Sequence, residues 1–129
     1  MGIAERKERE KRKRKEEILA AAEMIFFADT GGKGTMDDVA EKVELSKGTL
    51  YLYFKNKTDL LYAIAEKGVS LLHDNFIKTL KPEFSGREQL SELGDEFVRF
   101  VEHYPNYFGL ILRFEVAGHP SKDGHDTML

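Results

Sequence analysis

From Glu17 onward the chain alternates between apolar and polar residues with the period of an amphipathic helix. Ile18, Ala21, Ala22, Ile25 and Phe26 recur at i, i+3, i+4, i+7 and i+8 and predict a first helix ending near Asp29 to Gly32. Gly31, Gly32 and Gly34 then make a connection. Thr35 is a favourable N-cap with Asp38 three residues on, the spacing of a capping box. Val39, Ala40 and Val43 give the next helix its inner face. Val43-Glu44-Leu45 turns the chain, and Ser46 caps a short helix from about Lys47 to Tyr53, with Leu50 and Phe54 facing inward. Asn56, with Asp59 three residues on, opens a long helix. Its apolar face includes Leu60, Leu61, Ile64, Ala65, Leu71, Leu72, Phe76, Ile77 and Leu80. That helix runs to Lys81-Pro82, about 36 Å at about 1.5 Å per residue, with Gly68 as a weak point. Ser85 and Glu88 form a second capping box, before a helix with Leu90, Leu93, Phe97, Val98, Phe100 and Val101 inward. Pro105 ends it and starts a strongly apolar helix over Asn106 to Ala117, closed by Gly118 and Pro120. The pattern therefore predicts an all-α protein.

The stretch from Thr35 to Lys57 carries the clearest chemistry. Two short helices joined by a tight turn read as a helix-turn-helix. With Leu50 and Phe54 packed inward, the second helix leaves Lys47, Gly48, Thr49, Tyr51 and Tyr53 on its other faces. A cationic, hydroxylic and phenolic surface with a glycine near its start suits close approach to nucleic acid. The long helix that follows is a natural lever between such a head and a second region.

Charge sharpens this picture. The net charge is −3, which taken alone argues against a nucleic-acid binder. Residues 1–15, however, hold eight Lys/Arg and three Glu. Phosphate attraction is screened beyond about 10 Å at 0.1 M salt, so local charge decides. This opening run reads either as a solvated helix extension or as a flexible basic arm on the DNA backbone. Cysteine is absent from the sequence, which removes disulfides, thiolate metal sites and a Cys nucleophile. That fits a cytoplasmic location. No apolar run approaches the roughly 20 residues that span a bilayer, and the charged start is not a secretory signal. Arg6 stands where a myristoylation signal has Ser or Thr. The glycine-rich connection lacks the preceding strand and the Lys-Ser/Thr of a phosphate cradle. His119, Asp123, His125 and Asp126 could ligate a metal, but the polar tail carrying them reads as a solvated loop. No catalytic constellation shares a helical face, so neither an enzyme nor a cofactor is expected.

Two segments, ILAAAEMIFF and TMDDVAEKVELSKGTLYLYFKNKTDLLYAI, carry a resemblance to the TetR family of bacterial transcriptional repressors. It covers roughly residues 16–67; beyond that the chain matches only the family's helical layout. Behind the basic N-terminal arm that the charge places over 1–15, the resemblance implies a three-helix DNA-binding head with its helix-turn-helix over 16–55, and a connecting helix with the start of a helical ligand-binding and dimerisation domain over 56–129. It implies that Thr35 touches a phosphate, that Ser46 is one of the DNA-binding residues, and that Lys47, Gly48 and Thr49 face the major groove. Tyr51 and Tyr53 would reach phosphates and thymine methyls, and Lys57 a phosphate. For the tyrosines, packing between helices is the alternative. A homodimer on an inverted-repeat operator in double-stranded DNA, released by a small hydrophobic effector, is implied as well. Leu72, Phe76, Phe97, Val101, Phe108 and Ile111 are candidate effector contacts, with plain helix–helix core as the alternative. The chain departs from the family in having Thr30, Gly31 and Gly32 where a Gly-aromatic pair is usual, and in ending before the last helices of the dimer bundle. A fragment or an unusually short member is expected on that ground. The competing functions are a protein-interaction or ligand-binding module with weak DNA binding, and a general DNA binder relying on the basic arm.

Overall fold

A computed structural model describes residues 2–28 and 34–118. Gly31 and Gly32 of the predicted connection, the Thr30-Gly31-Gly32 departure, and the candidate ligands His119, Asp123, His125 and Asp126 lie outside the described residues. The described residues form six helices: α1 (Ile3–Ala28), α2 (Met36–Lys42), α3 (Lys47–Tyr53), α4 (Lys57–Thr79), α5 (Gly86–His103) and α6 (Pro105–Ala117). No strand occurs among them, as the apolar pattern predicts. The chain divides into two compact units after Leu61, inside α4.

The first unit is closed by small and branched side chains. Ile18, Ala21 and Ala22 of α1, Met36, Val39 and Ala40 of α2, Leu50 and Phe54 around α3, and Leu60 and Leu61 of α4 are buried. Ala21, Ala22 and Ala40 keep the helices close, which is why the first two helices can pack although α2 and α3 have only seven residues each. Such short helices are unstable alone, and tertiary packing and caps must hold them. The caps are present. The Thr35 hydroxyl accepts from the Asp38 backbone N–H at 3.2 Å, and the Asp38 carboxylate accepts from the Thr35 N–H at 3.0 Å. Ser46 Oγ accepts from the Thr49 N–H at 3.2 Å. Asn56 Oδ1 accepts from the Asp59 N–H at 2.8 Å.

The turn between α2 and α3 is a Schellman motif. The Leu45 N–H donates to the Ala40 carbonyl at 2.9 Å and the Glu44 N–H to the Glu41 carbonyl at 3.1 Å. Glu44 takes φ 58° to close it. A non-glycine residue in this left-handed region costs roughly 1–2 kcal/mol, and the paired carbonyls and the Leu50–Phe54 packing hold it there.

In the second unit Ile64, Ala65, Phe100 and Phe114 are buried. Tyr62 and Phe114 meet edge to face with centroids 5.2 Å apart. The capping box of Ser85 and Glu88 forms as predicted. Two sequence expectations need correction. Gly68 is not a weak point: it is buried, and a Cβ there would stand 2.9 Å from Tyr107 Cβ. It is the place where α4 admits the ring-bearing residue of α6. On α5, of the six residues predicted inward only Phe100 is buried, while Leu90, Phe97 and Val98 are exposed. α5 packs on α6, and that contact uses one side of the helix only. Leu90 and Val98 stay exposed, and Phe97, 41% exposed, buries only part of its surface against α6.

Candidate nucleic-acid interface

The surface of α3 follows from its two anchors. Leu50 and Phe54 are four residues apart and buried, so they fix the inward direction of the helix. At about 100° per residue, Gly48 and Leu52 then point away from the unit. Gly48 is exposed and a Cβ built on it meets nothing within 4 Å. Leu52 is 83% exposed. Lys47 and Tyr51 occupy one flank, both exposed, and Thr49 and Tyr53 the other, both half-buried. The two tyrosines therefore sit on opposite flanks rather than on one face.

Leu52 is the residue that sequence reasoning missed. Its signal was available, since it lies two residues from each buried anchor and so nearly opposite both.

Two further features were not legible in the sequence. Lys47 Nζ lies 2.9 Å from Asp37 Oδ1 of α2, with both side chains well exposed, 61% and 62%. The hydrogen bond that Lys47 donates to the Asp37 carboxylate, and then the negative charge of Asp37, raise the Lys47 pKa above the ordinary lysine value. Lys47 is protonated throughout the neutral range, as any lysine is, and on the alkaline side the pair is lost as pH rises through that raised value. Lys57, by contrast, is half-buried. Its Nζ donates to the Gly34 carbonyl at 2.6 Å and lies 5.0 Å from the centre of the Phe26 ring. It braces the start of α4 against the segment leading into α2 and against the end of α1. Thr35 is exposed, and its hydroxyl, while accepting from Asp38, still has a proton to donate. Ser46 Oγ donates to Thr49 Oγ1 at 2.9 Å, so the two hydroxyls are oriented together at the start of α3.

In the second unit an open groove of about 440 Å³ is lined by Tyr62, Ala65, Val69, Ser70, His73, Ile111 and Phe114, with Glu66 and Glu115 at its edges. Of the six candidate effector contacts only Ile111 lines it. Phe97 and Phe108 instead pack edge to face on each other, with centroids 5.8 Å apart. Leu72, Phe76 and Val101 are half-buried elsewhere on α4 and α5. No helix among the described residues is long and apolar enough to cross a membrane.

Comparison with known proteins agrees with this head. Residues 18–64, covering the end of α1 through the first turns of α4, match the family model of bacterial regulatory proteins, tetR family. The HTH-type transcriptional activator FasR of Mycolicibacterium smegmatis is 26% identical over 107 residues, which are 83% of this chain and 49% of the relative. The fatty acid metabolism regulator protein of Bacillus subtilis is 24% identical over 83 residues, 64% of this chain and 43% of the relative. Among solved structures, a TetR-like transcriptional regulator from Rhodococcus sp. RHA1 superimposes with a TM-score of 0.62 at 29% identity, covering 78% of this chain and 55% of the other. A TetR-family regulator from Haemophilus influenzae shares the fold, with a TM-score of 0.61 at 24% identity over 88% of this chain and 61% of the other. The chain spans about half the length of the curated relatives it matches. The capped three-helix head, the sequence match laid over it and the structural neighbours agree: residues 18–64 of this chain are similar to the bacterial regulatory proteins of the tetR family.

Proposed function

We propose that this protein is a sequence-specific, DNA-binding transcriptional regulator that lays α3 in the major groove. The observation that carries the reading is the outward face of α3. An open glycine at Gly48 lets the backbone come close, while Lys47 and Thr49 reach base edges or phosphates beside it. Leu52 supplies an apolar contact suited to a thymine methyl. Tyr51 and Tyr53 on the two flanks reach the phosphates on either side of the groove. Thr35 donates to a phosphate at the start of α2, where the helix dipole favours an anion. Ser46 orients Thr49. Lys57 adds its charge at the start of α4 while bracing the head.

At the level of regulation, the reading is a homodimer on an inverted-repeat operator, acting as a repressor released by a small hydrophobic effector. One head reads one half-site, so a two-fold partner supplies the other. The groove around Ile111 and Phe114 is concave, largely apolar and furnished with Ser70 and His73 as polar groups, the usual makeup of a small-molecule site. A relative named as an activator makes the direction of control a separate question, which a reporter behind the selected site decides. The exposed stripe of Leu90, Phe97 and Val98 supports a second reading, an interaction module that binds another chain through α5.

The two readings part on DNA. Lys47→Ala and Tyr51→Ala should each weaken binding to a site selected by the wild-type protein, with thermal unfolding unchanged. Full binding by both variants would remove the assigned roles and leave the interaction module.

A further inference from the structure

The basic run at the start of the chain is helical and continuous with the core-forming part of α1, from Ile3 to Ala28. Its cations are thus fixed in direction, and they are not equivalent. Lys7, Lys11 and Arg14 fall at i, i+4 and i+7 and share one face. The same three side chains line a groove of about 540 Å³ whose opposite wall is made by Thr49 and Tyr53 of α3. Arg9 lies on the reverse of the helix, about 170° from the centre of that face, and Lys13 and Arg6 lie on its far flank, about 130° and 105° away. All six are exposed.

We propose that Lys7, Lys11 and Arg14 form a phosphate-gripping ridge that holds the DNA strand running alongside the base-reading face of α3. This rests on the reading of α3 as the major-groove helix. The ridge extends about 10 Å along α1, enough for two or three phosphates at about 3.4 Å of rise per nucleotide. Nothing apolar in 5–17 offers a membrane face, since that stretch contains only Glu, Lys and Arg; a lipid-bound amphipathic helix needs such a face. The one countercharge inside the groove is Glu10. Glu17, 3.9 Å from Arg14 Nε, makes an exposed pair that phosphate can displace.

The test compares two triple variants of equal charge change, K7Q/K11Q/R14Q and R6Q/R9Q/K13Q, in the full chain. Fluorescence anisotropy gives Kd on a duplex selected from random sequence by the wild type, over a range of KCl. Each phosphate contact contributes about 0.9 to the slope of log K against log salt. The groove-side triple should therefore flatten the slope by about 2–3, whereas the reverse-face triple should change it by less than about 1. E10Q should tighten binding, and K7R/K11R/R14K should restore the wild-type slope. Equal losses from both triples would overturn the ridge and leave an undirected basic arm, as would no loss from the groove-side triple. Loss confined to anionic phospholipid vesicles would overturn it in favour of a membrane contact. If the wild type does not discriminate the selected duplex from scrambled DNA, the reading of α3 fails. The face comparison on any duplex then still decides the ridge. Circular dichroism at 222 nm, unchanged across the set, shows that helix content is preserved.

Discussion

Replacing Gly48 by alanine separates what the fold wants from what DNA binding wants. Gly48 is the second residue of α3 and does not take a positive φ. A Cβ placed there meets nothing within 4 Å, so the free protein has no steric reason for glycine. Helix propensity favours alanine by up to about 1 kcal/mol, and alanine also lowers the entropy of the unfolded chain. Near the end of a seven-residue helix a gain of about 0.5–1 kcal/mol is expected. For a domain of this size that raises the Tm by about 2–8 °C. On DNA the sign reverses. A methyl group inserted into a close-packed contact costs about 1–3 kcal/mol, a loss of about 5- to 150-fold in affinity. Thermal unfolding followed by circular dichroism and anisotropy titration on the selected duplex measure both arms. A more stable Gly48→Ala protein with undiminished DNA affinity would refute close approach at Gly48. A less stable one would refute the open environment from which the stabilisation is argued.

The other two perturbations act on contacts that the structure adds. Gly68→Ala carries the same propensity gain, but the new methyl would fall 2.9 Å from Tyr107 Cβ, which cannot swing aside as a ring tip can; a net loss of about 1–2 kcal/mol in urea unfolding is expected, and a rise in stability would mean that α4 and α6 do not meet there. Asp37→Asn frees Lys47 from its 2.9 Å ion pair and removes a negative charge beside α3, the helix proposed to face DNA, so affinity for DNA should rise by up to about fivefold at low salt and the gain should shrink as salt is added; weaker binding would show instead that Asp37 holds Lys47 in its working position.

The sequence disclosed the head more fully than the rest, for physical reasons. Local signals dominate in the first unit: Thr35 and Asp38, Ser46, and Asn56 act within one helical turn, and all three caps form. The burial of Leu50 and Phe54 likewise needs only the helical period. Long-range geometry was not legible. Lys57 looks like a surface cation at a helix start, and only the fold brings the Gly34 carbonyl and the Phe26 ring to it. The Asp37–Lys47 pair bridges two helices whose angle is set by the turn at Glu44, where a residue other than glycine hides the Schellman signal. In the second unit the amphipathic pattern identified each helix but not which part of its apolar face is covered. Leu90 and Phe100 look alike on a helical wheel of hydrophobic residues, yet one is exposed and the other buried. For the same reason five of the six candidate effector contacts fall away from the groove, while Tyr62 and Phe114 line it.

The central claim is that α3 reads base sequence. Its most direct measurement is the ratio of affinities for a wild-type-selected duplex and a scrambled duplex of the same composition, taken at physiological salt. A ratio on the order of 10³ or more is predicted for a specific reader. Equal affinities for the two duplexes would contradict it.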